Sequence, residues 1–168
     1  MKTSVLLALV ATVLGLGSSV IHAQDEVAAS TLTSVGQVAP DFSATTLTGE
    51  PISLARLRGK VVLLSFFATW CGPCKTELPH IEKDLWQAMR ADGLQVLGVD
   101  REEKAGLVAP FVSKMSLTFP VVADADRSIY ARYAKAYIPR LYLIGRDGRI
   151  AFQTTGFSPQ EMDTSSLS

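Results

Sequence analysis

The two cysteines of this 168-residue chain stand three positions apart, in Trp70-Cys71-Gly72-Pro73-Cys74. Such a pair can close a structural disulfide, bind a soft metal, or exchange electrons with another disulfide. A disulfide spanning two residues closes a tiny loop and removes little entropy from the unfolded chain. A metal site needs further ligands, and His80 is the only histidine beyond residue 23. Exchange needs a thiolate at one sulfur and a second thiol within reach. The spacing alone leaves all three open, and the surrounding elements weigh between them.

Before the pair, Val61 to Phe67 is a nearly unbroken apolar run, the pattern of a strand buried on both faces. After it, a helix is expected from about Pro73 to Asp92, with Leu78, Ile81, Leu85 and Met89 on one face and Gly93 as its stop. Cys71 then sits at a helix N-terminus, where free N–H groups and a partial positive charge stabilise a thiolate. Such placement lowers a cysteine pKa from about 8.5 into roughly the 3.5–7.5 range. Cys74 is one turn on and can attack a mixed disulfide formed at Cys71. Pro73 suits the first turn, where its missing N–H is not needed. This placement favours redox exchange.

The rest of the chain alternates. A strand is expected at Leu94–Val99, a helix over 104–115 with Leu107, Phe111 and Met115 on one side, a strand at Phe119–Val122 and a helix over 126–136. Leu141–Ile144 and Ile150–Thr154 flank Asp147-Gly148 as a hairpin, and Ile52 and Leu54 mark a small edge strand. This is an α/β pattern with a mixed central sheet.

Composition narrows the function classes. The formal net charge is zero and 48% of residues are hydrophobic, so there is no basic footprint for nucleic acid and no compositional case for disorder. Two cysteines cannot build a disulfide scaffold, a four-thiolate zinc site or a cysteine-ligated iron–sulfur cluster. Lys2, the apolar run Val5–Leu16 and the small residues leading to Ala23 read as a secretory signal over 1–23. An uncleaved anchor is the alternative, although the run falls short of the ~20 apolar residues a bilayer needs. Residues 24–37 read as a linker and 38–168 as the folded domain. The expected location is periplasmic or otherwise extracytoplasmic, where thiols meet oxidants.

The run Trp70 to Lys75 resembles the thioredoxin active-site signature. Ala39-Pro40-Asp41-Phe42, Gly59-Lys60 before the strand, and Ala68-Thr69-Trp70 resemble the TlpA/ResA-like thiol-disulfide oxidoreductases of that superfamily, over about residues 38–157. The resemblance implies a thioredoxin fold, with a central mixed sheet flanked by helices and an N-terminal β extension. The C-terminal helix is expected to be shortened, because Ser158–Ser168 is brief and polar. It further implies a redox-active Cys71–Cys74 disulfide with no other cofactor and no metal. The implied partners are protein disulfides, apocytochrome c among them, and a membrane thiol-transfer reductant; no nucleic acid is implied, and a monomer is expected.

Ile138-Pro139 matches the family's cis-proline loop, whose backbone pairs with the substrate strand, and Pro79 matches the proline that kinks the active-site helix. The residues carried over as catalytic are Cys71, Cys74, Glu77 and Pro139, with Trp70, Gly72, Pro73, Ile138 and Arg140 as substrate contacts. Two departures matter. Ser65 stands where cytoplasmic thioredoxins carry a buried aspartate. Glu77 lies three residues beyond Cys74 on the inward helical face, and burial there would raise its pKa and make it the substitute proton carrier. Its plainer reading is an acid favoured by the helix dipole. Arg140 stands where threonine is more usual, and beside the site it would steer acidic partners or stabilise the thiolate.

The leading expectation is a reductant of protein disulfides, in cytochrome c maturation or general disulfide reduction. A thiol peroxidase of the AhpC/TSA type is an alternative, because the Ala39–Phe42 opening also occurs in peroxiredoxins. That chemistry needs threonine and proline at positions occupied here by Ala68 and Leu64. A copper chaperone using the cysteine pair is the non-enzymatic alternative.

Overall fold

The computed structural model describes residues 24–157. In chain order they form helix α1 (24–30), strands β1 (Ser43–Thr45) and β2 (Pro51–Ser53), a 3₁₀ turn at Ala55–Leu57, and strand β3 (Val62–Phe67). Helix α2 (Gly72–His80) follows and runs into a π-helical stretch at Ile81–Gln87. Then come β4 (Gln95–Asp100), α3 (Ala105–Lys114), β5 (Val121–Ala123), a 3₁₀ turn at Tyr130–Arg132, and the hairpin β6 (Arg140–Ile144) and β7 (Ile150–Thr155). The secretory segment 1–23 and the shortened helix expected after Phe157 lie outside the described residues.

The apolar run does become the middle of the sheet, whose order is β5-β4-β3-β6-β7. β3 pairs parallel with β4 and antiparallel with β6, and all six of its residues are buried. Strand alternation divides them. Val62, Leu64 and Phe66 join Tyr130, Tyr133 and Tyr142 on one face. Leu63 and Phe67, with Ser65 between them, face α2, where Cys71, Cys74, Leu78 and Ile81 pack. β1 and β2 make a separate antiparallel pair, the N-terminal β extension.

Four expectations are corrected. The active-site helix is not a regular α-helix to Asp92. Pro79 lies inside α2 and has no N–H to donate, and the ladder widens to π spacing from Ile81. Leu78 and Ile81 stay buried, Leu85 is half-buried, and Met89 has rotated out to 38% exposure. On α3 the expected apolar side is kept only in part: Phe111 and Met115 pack against the cluster that holds the cysteines, but Leu107 is exposed and Val108 is buried in its place. The segment 126–136 keeps only a 3₁₀ turn, because the Asp124 carboxylate accepts the N–H groups of Ile129 and Tyr130 and so competes with a helical ladder. Finally, residues 24–37 are not a free linker. Residues 24–30 are helical, Thr31 bridges Ala134, and Ser30 and Thr33 are buried against the domain.

Candidate active site

β3 ends at Phe67, and three residues later the chain turns into α2. Cys71 is the N-cap of that helix: its backbone is extended and its Sγ accepts the Cys74 N–H at 3.2 Å. Cys71 and Cys74 form a disulfide, with Cα atoms 5.3 Å apart. Cys74 is fully buried and Cys71 is 4% exposed, so the first sulfur is the one a partner can reach. In the reduced state the same helix-end N–H groups would stabilise a Cys71 thiolate. Gly72 and Pro73 are exposed between the cysteines, and a Cβ at Gly72 would meet nothing within 4 Å.

Trp70 is 55% exposed and forms one wall, with the Arg101 guanidinium 5.6 Å from its ring centroid. The opposite wall is the loop before β6. Its Ile138-Pro139 peptide is cis, and Ile138 packs against the apolar cluster that holds both cysteines. Trp70, Cys71, Gly72, Pro73 and Cys74 follow the end of β3, and Ile138 and Pro139 lead into the start of β6, so all lie at one end of these two paired central strands.

Glu77 lies beneath the pair on the inner face of α2 and is fully buried. Neither carboxyl oxygen, nor the buried Ser65 hydroxyl on β3, has a hydrogen-bond partner of good geometry among the described residues. Burial drives the Glu77 pKa up to about 8, against a smaller lowering by the neighbouring Ser65 hydroxyl. A carboxyl so placed is protonated at neutral pH and can give up its proton just above it.

Arg140 is not at this site. Its side chain leaves β6 in phase with Tyr142 and Ile144, on the sheet face turned away from α2. It is 1% exposed, so it neither steers an acidic partner nor touches the cysteines. The expectation failed because the residue after a loop can project to either face of the strand it starts.

The sequence reading missed the clamp behind the site. The Glu103 carboxylate accepts the Thr69 N–H at 2.6 Å and the Thr69 hydroxyl at 2.7 Å. Burial alone would raise its pKa, but these bonds outweigh it and hold Glu103 below the usual carboxylate range. Asp100, at the end of β4, accepts the N–H groups of Glu102 and Glu103. Burial, helped by the Glu103 carboxylate, pushes the Asp100 carboxyl up to about 7. In sequence, Arg101-Glu102-Glu103 looks like a solvated charge run, and nothing local marks it otherwise. Among the described residues, no group of three or more His, Cys, Asp or Glu could hold a metal ion.

The chain matches the AhpC/TSA family over residues 35–153. It is 35% identical over 127 residues to the thiol-disulfide oxidoreductase ResA of Bacillus thuringiensis, covering 76% of this chain and 73% of that one. Its fold superposes on that of a provisionally assigned protein disulfide isomerase from Bacteroides thetaiotaomicron, with a TM-score of 0.77 and 38% identity, over 82% of this chain and 87% of the other. A provisionally assigned thiol:disulfide interchange protein DsbE from Chlorobium tepidum gives a TM-score of 0.73 and 30% identity, over 80% and 94% of the two chains.

Proposed function

Because the chain belongs to the AhpC/TSA family, within its ResA-like thiol-disulfide oxidoreductases, we propose that it works in the reducing direction, on protein disulfides, outside the cytoplasm. The observation that carries the reading is the asymmetry of the pair: Cys71 caps the helix and keeps 4% exposure, and Cys74 is fully buried behind it.

The Cys71 thiolate attacks one sulfur of a substrate disulfide. A Cys71–substrate bond forms, the substrate disulfide breaks, and one substrate thiolate leaves and takes up a proton. Cys74 then loses its proton, and its thiolate attacks Cys71 Sγ. This closes the Cys71–Cys74 disulfide and releases the second substrate thiol. Two electrons and two protons pass to the substrate. Glu77 supports this step, since an ionised carboxylate there can accept the Cys74 proton and a protonated one can return it. The backbone beside Pro139 would pair with the extended substrate chain.

Gly72-Pro73 between the cysteines and Ile138 before Pro139 support reduction, since both match thioredoxin. The apolar run Val5–Leu16 supports export. A reductant working among oxidants has to be recharged, which calls for a membrane thiol-transfer partner. Apocytochrome c cysteines awaiting haem are the substrate class we favour. No cofactor beyond the cysteine pair is required.

The peroxidase reading has the family's name in its favour. The positions that would hold its threonine and proline are Ala68 and Leu64, both fully buried and apolar, so no hydroxyl stands there to orient a peroxide. Stopped-flow mixing with peroxide should show no fast sulfenic acid formation.

Two measurements test the proposal. Cys71→Ser should abolish reduction of a protein disulfide, and Cys74→Ser should trap the substrate on Cys71. The midpoint potential should fall near the −270 mV of thioredoxin and not near the roughly −120 mV of a strong oxidant. Full activity in Cys71→Ser, or an oxidant's potential, would overturn it.

A further inference from the structure

Arg140 carries a charge that the redox chemistry does not use. Its guanidinium is 1% exposed, and among the described residues no carboxylate pairs with it. A buried cation left in this state is costly unless its N–H groups are well satisfied. They are satisfied by two segments far apart in sequence. Nε donates to the carbonyls of Ala136 and Tyr137 at 3.1 and 3.2 Å, and Nη2 also reaches Ala136 at 2.9 Å. On the other side, Nη2 donates to Ser30 Oγ at 2.5 Å and Nη1 to Thr31 Oγ1 at 2.9 Å.

The same two segments meet at further points. Leu32 donates its N–H to the Tyr133 carbonyl at 2.9 Å, and Lys135 donates to the Ser30 carbonyl at 2.8 Å. The Tyr137 hydroxyl bonds Glu26 of α1 at 3.1 Å. Tyr137 itself holds φ at +69°, a left-handed conformation that a bulky side chain keeps only where its surroundings impose it. Its carbonyl is fixed by Arg140 and by the Tyr130 hydroxyl at 2.6 Å. Residue 138 follows at once and packs on the cysteine cluster.

We propose that Arg140 and the segment 24–33 form a latch that sets the Tyr137-Ile138-Pro139 loop in position for an extended protein substrate. Arg140 is then a positioning residue. It acts on how tightly a protein disulfide is held, and leaves the reactivity of Cys71 alone, because its side chain is on the opposite face of the sheet. The latch rests on the proposed pairing of substrate backbone with this loop.

The test uses the full chain, reduced, with insulin as the protein disulfide and 5,5′-dithiobis(2-nitrobenzoate) as a small disulfide that needs no loop. Arg140→Thr removes the cation. Ser30→Ala with Thr31→Val leaves Arg140 in place and removes two of its acceptors. In both variants KM for insulin should rise about five- to twentyfold, kcat should stay within about twofold, and the small-disulfide rate should be unchanged, as expected when only substrate positioning is lost. Arg140→Lys should recover part of the affinity. Amide exchange at Leu32 and Lys135 should speed up in the double variant. If Arg140→Thr does not fold, the double variant decides alone. An unchanged insulin KM sinks the latch, and so does a parallel fall of both rates, which would make Arg140 a residue of the fold. Failure of the unmodified chain to reduce insulin, with the small disulfide still reduced, would instead count against the protein-reductase reading.

Discussion

Glu103 accepts both the backbone N–H and the hydroxyl of Thr69, two residues before Cys71. The loop after β4 is thereby stitched to the loop that presents the reactive sulfur, and Arg101 stacks over Trp70 from the same loop. The position of Cys71 is therefore set by the helix it caps and by the neighbouring strand's end.

Glu103→Ala should remove both acceptors and destabilise the chain by about 1–3 kcal/mol, the usual cost of leaving donors without a charged partner. Thermal or urea unfolding checks this. Glu103→Gln retains one acceptor and removes the negative charge, so the pH midpoint of Cys71 alkylation should move downward. A midpoint that stays put would show that the carboxylate positions Thr69 without acting on the sulfur.

Glu77 makes stability depend on pH with a definite sign. Its folded pKa of about 8 lies above the ordinary 4.5 of the unfolded chain, so between these values the folded state keeps a proton that the unfolded state has lost. The contribution is fully present below about pH 4.5 and is lost as pH rises through about 8. Glu77→Gln should therefore gain on the unmodified chain as pH rises, by on the order of 5 kcal/mol between acid and pH 9. Urea denaturation at pH 5, 7 and 9 reads the difference. The buried Asp100 carboxyl adds a trend of the same sign to both proteins and cancels in the comparison.

The same substitution tests proton transfer. In the unmodified chain the rate of disulfide reduction should carry an inflection between about pH 7 and 9, where Glu77 ionises. In Glu77→Gln that inflection should vanish. A profile identical in both proteins would leave Glu77 no part in moving the Cys74 proton.

The burial difference between the cysteines predicts selective labelling. With the reduced protein at pH 7, iodoacetamide should modify Cys71 at least about tenfold faster than Cys74, since reactivity follows thiolate character and access. Peptide mapping by mass spectrometry after a short pulse gives the ratio, and equal labelling would contradict it.

The parts of this molecule that sequence reading reached are those written in local pattern. The apolar run Val62–Phe67, the cysteines at the helix start, the hairpin around Asp147-Gly148 and the inward Glu77 each follow from a few neighbouring residues. What escaped depends on contacts across the chain. Residues 24–37 look like a polar linker because their anchor is a buried arginine 109 to 110 positions away. Arg140 looked like a site residue because its neighbour is Pro139, yet strand parity sends its side chain to the other face. The helix expected over 126–136 was lost to one carboxylate, Asp124, which claims two of its N–H groups. Met89 fits a regular helical stripe, and only the π-helical stretch after Pro79 turns it outward.

Trp70 stands half-exposed and directly precedes the reactive sulfur, whereas Trp86 is held elsewhere by its indole bond to Thr118. A disulfide drains the excited state of an adjacent indole, and a dithiol does so far less. The emission of Trp70 should therefore brighten when the pair is reduced, while Trp86 supplies a steady background. The chain would then carry its own optical gauge of oxidation, and an emission that does not change on reduction would show that the Trp70 ring does not sense the pair.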